Sequence, residues 1–192
     1  MRKIFYVFRH GETDANLAGV WQGQGVNKPL NNTGIKQAEN LAEKMSGLGI
    51  EKIYSSPLLR AKQTAEAVAK RAGIQVEILP ELTEGGLGDF EGVKKTDIAE
   101  QNPEFWAKWY DDVIDMSLRC PNGESKQEMQ DRMFEGFEKM LQTPEKVIGV
   151  ASHSGAMRYF FLAFNYGPHK MPNTALYKLI YDNGNWNLEF LG

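Results

Sequence analysis

Residues 2–11 read RKIFYVFRHG. From Ile4 to Phe8 the residues are β-branched or aromatic with no polar alternation, a pattern that suits a central strand covered on both faces. An arginine, a histidine and a glycine follow at once. A second buried-strand pattern, VIGVAS at 147–152, leads in the same way into His153, Ser154 and Gly155. In an open α/β sheet, ligands collect at the carboxyl ends of the strands, so these two imidazoles can share one crevice.

The surrounding chain supplies the rest of such a sheet. Asn31 is placed to cap a helix carrying Ile35, Ala38, Leu41, Ala42 and Met45 on one face, with Gly47 and Gly49 closing it. KIYSS at 52–56 reads as a second strand. SPLLRAKQTAEAVAKRAG reads as a helix with Pro57 in its first turn and Gly73 past its end. IQVEIL at 74–79 is a third strand, and a capping box at SKQE, 125–128, opens another helix. SGAMRYFFLAF is helical, and ALYKLIYD with NGNWNLEF forms a hairpin turning at Asn183-Gly184. Strands and helices alternate, which predicts an α/β fold with a mainly parallel central sheet.

The chain of 192 residues is expected to form a single domain, 1–192, with an excursion or lid at about 83–124 that is rich in glycine, proline and aromatic residues. A hydrophobic fraction of 42%, a charged fraction of 24% and a net charge of −3 describe a soluble globular protein. They give no reason to expect nucleic acid or a membrane surface as partner. No stretch approaches the ~20 apolar residues of a membrane span. A lone cysteine, Cys120, excludes an intrachain disulfide and a CxxC metal site, and a reducing cytoplasm is the expected location.

The chemistry expected at the crevice is anionic. Arg9 flanks His10, and Arg60 lies in the first turn of its helix, where a guanidinium fork adds to the positive end of the helix dipole. Together with the histidines they match a phosphoryl dianion. A neutral imidazole can be a nucleophile once its other nitrogen is held by an acceptor. An acid for the leaving oxygen is also needed; Glu81, Glu84, Asp89 and Glu91 are candidates, with Glu12 and Asp14 beside the nucleophile.

The blocks RHGETDAN, SSPLLRAKQTAEAVA, LTEGGLGDFEG, PNGES and ASHSGAMR, in that order, resemble the histidine phosphatase superfamily, also called phosphoglycerate mutase-like, over nearly the whole chain. The resemblance implies a three-layer α/β/α sandwich and a phosphohistidine intermediate on His10. It implies a phosphate pocket of Arg9, Arg60 and His153, with Asn16 and Ser154 as further contacts, and Glu84 as the proton donor. It also implies a small phosphomonoester as substrate and no metal or cofactor. The chain looks like the compact phosphatase branch, because Gly-Gly-Leu-Gly follows Glu84 where mutases carry a different motif and a larger basic insert. A phosphoglycerate mutase and a non-catalytic phosphoryl-binding module are the alternatives. Phe105, Trp106, Trp109 and Tyr110 are expected to pack on the core, or with Phe90 to wall the leaving group. Arg158 is read as structural, His169 as a solvated loop residue, and the assembly as monomer or homodimer.

Overall fold

Strands β1 (Arg2–Arg9), β2 (Lys52–Ser55), β3 (Val76–Ile78), β4 (Val147–Ser152), β5 (Leu176–Asp182) and β6 (Asn185–Phe190) make one six-stranded sheet in the order β3-β2-β4-β1-β5-β6. The computed structural model describes residues 1–167 and 171–192; His169 lies outside them. The β3, β2, β4 and β1 strands are mutually parallel, whereas β5 and β6 run antiparallel as a hairpin on the β1 side. Asn183 and Gly184 turn that hairpin with φ of 49° and 90°, a left-handed pair that asparagine and glycine tolerate best.

The apolar run in β1 divides between two faces. Phe5 and Val7 point into a core with Met133, Phe137 and Met140 of α6 (Lys126–Leu141) and Met157, Phe160 and Phe161 of α7 (Ser154–Leu162). Tyr6 and Phe8 point the other way, onto Leu41 and Ala42 of α2 (Asn32–Lys44) and Ala65, Val68 and Ala69 of α3 (Leu59–Ala72). A strand with helices on both sides has no polar face, which is why its sequence shows no alternation. The result is the expected three-layer α/β/α sandwich.

Local caps agree with the sequence. Asn31 accepts the Gly34 amide, Ser125 and Glu128 form a reciprocal capping box, and Gly73 ends α3 with φ of 70°. Two details differ. Ile35 is 47% exposed, because the α2–α3 contact closes at Ala38, Leu41 and Ala42 and leaves the first turn of α2 outside it. Pro57 precedes α3, whose N-cap is Leu58, so the proline stiffens the approach to the helix instead of its first turn.

The segment between β3 and α6 is ordered around a third, smaller core. It contains 3₁₀ turns at Pro80–Leu82 and Gly88–Phe90 and two short helices, α4 (Lys95–Gln101) and α5 (Pro103–Trp109). Their residues Leu87, Phe90, Ile98 and Trp109 bury against Trp21, Cys120, Met129 and Tyr159. Trp21 belongs to the loop after α1 (Asp14–Leu17), so this core ties the excursion to the segment downstream of His10.

Candidate active site

Parallel pairing sets the register that joins the two histidines. Arg9 of β1 lies opposite Ser152 of β4, and the His10 amide donates to the Ser152 carbonyl at 3.1 Å. The next residues, His10 and His153, therefore leave the sheet side by side, with ring centroids 5.1 Å apart. Both are buried, at 2% and 0% exposure.

His10 Nδ1 lies 2.6 Å from the Gly11 carbonyl oxygen. A carbonyl can only accept, so Nδ1 carries the proton and the neutral ring keeps its lone pair on Nε2. Burial, then the positive charges of Arg9 and Arg60, hold the His10 pKa well below its ordinary value of 6.5. The peptide at His10 is itself fixed: its carbonyl accepts from the Asn173 side chain at 3.1 Å and from the Thr174 amide at 3.3 Å. His153 Nε2 meets the Ser56 hydroxyl at 2.8 Å, and its buried Nδ1 has no protein partner. Burial first, then Arg60, keeps this ring neutral as well.

Arg60 is 1% exposed and is gripped through Nη1 and Nη2 by the carbonyls of Val26 at 3.0 Å and Gly23 at 2.8 Å. Arg9 is held through Nη1 by the Met171 carbonyl. The Nε of each arginine is buried without a hydrogen-bond partner. Buried polar groups are usually satisfied, so converging donors of this kind describe a receptor for an anion. Burial lowers the pKa of Arg60 to about 10, still far above neutrality, so the guanidinium stays charged.

These groups open onto a cleft of about 650 Å³ lined by Arg9, His10, Asn16, Arg60, Glu84 and Ser154 of the sequence candidates. His153 stands behind this lining, against His10. Asn16 spends Oδ1 on the Thr13 amide and hydroxyl and on Asn173 Nδ2, which leaves its own Nδ2 as the group it can offer the cleft.

The acids separate cleanly. Glu84 is the one carboxylate among the described residues lining the cleft. Its oxygens accept the amides of Gly155 at 3.2 Å and Ala156 at 2.9 Å in the first turn of α7, and that of Gly85 at 3.0 Å. Glu81 pairs with Lys139, Asp89 binds Asn122, and Glu91 accepts the amides of Gln24, Gly25 and Leu87. Glu12 accepts from Asn31, and Asp14 lies in the first turn of α1.

Close packing explains the glycines at 11 and 155. A Cβ on Gly11 would come 2.6 Å from the Gly34 carbonyl oxygen, and one on Gly155 would come 2.7 Å from Glu84 Oε1. The excursion contributes Leu87, Lys95, Trp109 and Tyr110 to the cleft, whereas Phe90, Phe105 and Trp106 pack around Trp21 and Trp109 behind it. Trp21, Tyr159 and Arg158 also line the cleft and were not singled out from the sequence as site residues; Arg158 is therefore placed at the site and not only in the scaffold. Among the described residues no cluster of three or more His, Cys, Asp or Glu side chains suits a metal ion, and no helix is long and apolar enough to cross a membrane.

Residues 5–192 match the model of the histidine phosphatase superfamily (branch 1). The chain is 31% identical over 183 residues to an adenosylcobalamin/alpha-ribazole phosphatase of Escherichia coli, covering 95% of this chain and 87% of that one. It is 36% identical over 140 residues to a probable phosphoglycerate mutase of Serratia proteamaculans, covering 73% of this chain and 64% of the relative. The fold superposes on a mycobacterial glucosyl-3-phosphoglycerate phosphatase solved with VO3, at a TM-score of 0.87 and 25% identity over 98% of both chains.

Proposed function

The chain belongs to the histidine phosphatase superfamily, and from that membership we propose that it is a phosphomonoesterase with His10 as its nucleophile. The observation that carries this reading is the fixed tautomer of His10: Nδ1 donates to the Gly11 carbonyl, and Nε2 is left with a free lone pair beside two guanidinium groups.

In the first displacement, Nε2 attacks phosphorus, the P–O ester bond breaks, and Glu84 gives its proton to the departing alkoxide. Arg9 and Arg60 stabilise the equatorial oxygens, with Asn16, Ser154 and His153 Nδ1 as further donors. In the second, water attacks the phosphohistidine in line and yields its proton to the Glu84 carboxylate. Inorganic phosphate leaves, and neutral His10 is restored. The positive charge that the transferring group needs is supplied by arginines, so the scheme requires no metal. Residues 83–124 act as wall and lid within one domain spanning 1–192, and the buried thiol of Cys120 fits a reducing cytoplasm.

The test is phosphate release from a panel of small phosphomonoesters without added metal, together with quenching in alkaline denaturant to trap a phosphoryl-enzyme. Turnover and an acid-labile label, both lost in His10→Ala, are expected. Release that persists in His10→Ala would overturn the assignment. A mutase remains the reading to compare, since several relatives carry that name. Isomerisation of 3-phosphoglycerate stimulated by a bisphosphate primer, without net phosphate release, would decide for it. Phosphate-ester binding with neither turnover nor label would return the non-catalytic module.

A further inference from the structure

The cleft holds more positive charge than a phosphoryl group uses. Among the described residues its lining includes four cations, Arg9, Arg60, Lys95 and Arg158, and one acid, Glu84. With both histidines neutral, the described lining carries three net positive charges when Glu84 is ionised and four when it holds the proton it donates, in either state more than a phosphoryl dianion neutralises, in a chain whose overall charge is −3. Arg9 and Arg60 are committed beside His10, so the surplus lies farther out.

Arg158 is the guanidinium that accounts for it. It projects from α7 one turn beyond Ser154, and its Nε is buried with no hydrogen-bond partner. No carboxylate of the described residues forms an ion pair with it. Its guanidinium carbon lies 5.9 Å from the centre of the Tyr159 ring. Trp109 and Tyr110 add flat surface to the same cleft. Trp109 is braced from behind by the buried Lys126, whose ammonium donates to the Trp109 carbonyl at 3.2 Å and lies 5.0 Å from its ring centre. An arginine fork beside aromatic walls, with no acid of its own, matches a planar anion on an apolar stem.

We propose that Arg158 is the specificity-determining residue of the leaving-group half of the cleft, selecting phosphomonoesters whose alcohol carries a carboxylate next to a flat apolar segment. This inference rests on the phosphatase reading. Lys95, exposed at the rim, is the competing cation.

The experiment compares kcat/KM for phenyl phosphate and 3-carboxyphenyl phosphate, whose leaving phenols are of similar acidity. Wild type is expected to favour the carboxylated ester by about tenfold or more, the range of a charge-assisted hydrogen bond. Arg158→Gln is expected to bring the ratio to within about twofold of unity, with Arg158→Lys in between; either variant, checked by its melting temperature, reads the ratio if the other does not fold. A wild-type ratio of one, or a preference that survives Arg158→Gln and disappears in Lys95→Gln, would overturn the assignment while leaving the phosphatase reading intact. No cleavage of either ester, or equal cleavage by His10→Ala, would instead bring down the phosphatase reading and this inference with it.

Discussion

His10 and His153 face one another with ring planes tilted by 56°, each held neutral inside the protein. Burial is the main cause for both, and the neighbouring arginines add to it. In the unfolded chain both titrate near 6.5, whereas the folded protein takes up those protons only at lower pH. The stability these groups allow is thus complete above about pH 6.5 and is lost as pH falls through the window below it, because the unfolded state binds protons first. The melting temperature is expected to fall between about pH 7 and pH 5.5. The slope should be shallower in His153→Gln, whatever that variant's absolute stability. An unchanged slope would mean that His153 is not a buried neutral group.

The same displacement of the His10 pKa has a catalytic consequence. Protonation of Nε2 would remove the proposed nucleophile, and burial together with Arg9 and Arg60 opposes that protonation. The acid limb of kcat/KM that belongs to His10 is therefore expected below pH 6.5. Arg60→Gln removes one of the charges that depress it, so the limb should move to higher pH while overall activity drops by roughly 100-fold or more for the lost transition-state donor. A limb that stays in place in Arg60→Gln would assign it to another group.

Gly155→Ala separates activity from stability. Alanine favours a helix by up to about 1 kcal/mol over glycine, and Gly155 is in the first turn of α7. Its new Cβ would lie 2.7 Å from Glu84 Oε1, the end of a flexible side chain that can move aside. The melting temperature is expected to hold while kcat falls by up to roughly 100-fold, the scale of a catalytic group misplaced by about 1 Å. Gly34→Ala is the contrast, because there the Cβ would lie 2.1 Å from the backbone oxygen of Glu12. Backbone cannot yield as a side chain can, so a loss of about 1–3 kcal/mol or more is expected. Thermal melts and initial rates on the two variants check both outcomes.

What the sequence made legible follows from how local each signal is. The two strand ends at His10 and His153, the caps at Asn31 and Ser125 and the turn at Asn183-Gly184 are each written within a few residues. The choice among acids is not, because Glu84, Glu81, Asp89 and Glu91 look alike until their partners are known. Glu81 is taken by Lys139 and Glu91 by three amides, two of them from the distant Gln24-Gly25 loop, relationships that exist only in the folded chain. Family resemblance, and not residue pattern, pointed to Glu84. Arg158 shows the same limit: on an apolar helix an arginine reads as scaffold, and only the placement of α7 against the cleft brings it into the lining. Ile35 fits the helical stripe, yet the stripe is wider than the surface that α3 covers.

Arg132 sits outside the cleft and is expected to control it. Its Nη1 donates to the carbonyls of Glu81 at 2.9 Å and Thr83 at 2.8 Å, and its Nη2 to that of Glu84 at 3.1 Å. Glu124 holds the guanidinium from the other side at 2.9 and 2.8 Å, and also accepts the Gly86 amide at 2.7 Å. One planar fork thus fixes three carbonyls of the loop that presents the proposed acid, a geometry that an ammonium cannot reproduce. Arg132→Lys keeps the charge and loses the fork. If Arg132 positions Glu84, kcat should fall roughly 10- to 100-fold with KM changed far less, since the proposed phosphate pocket is built from other elements. The loss should be largest for esters of poorly acidic alcohols, which depend most on protonation of the leaving oxygen, and smallest for activated aryl esters. A uniform loss across both classes of ester, matching the loss of folded protein in a thermal melt, would reduce Arg132 to a structural brace.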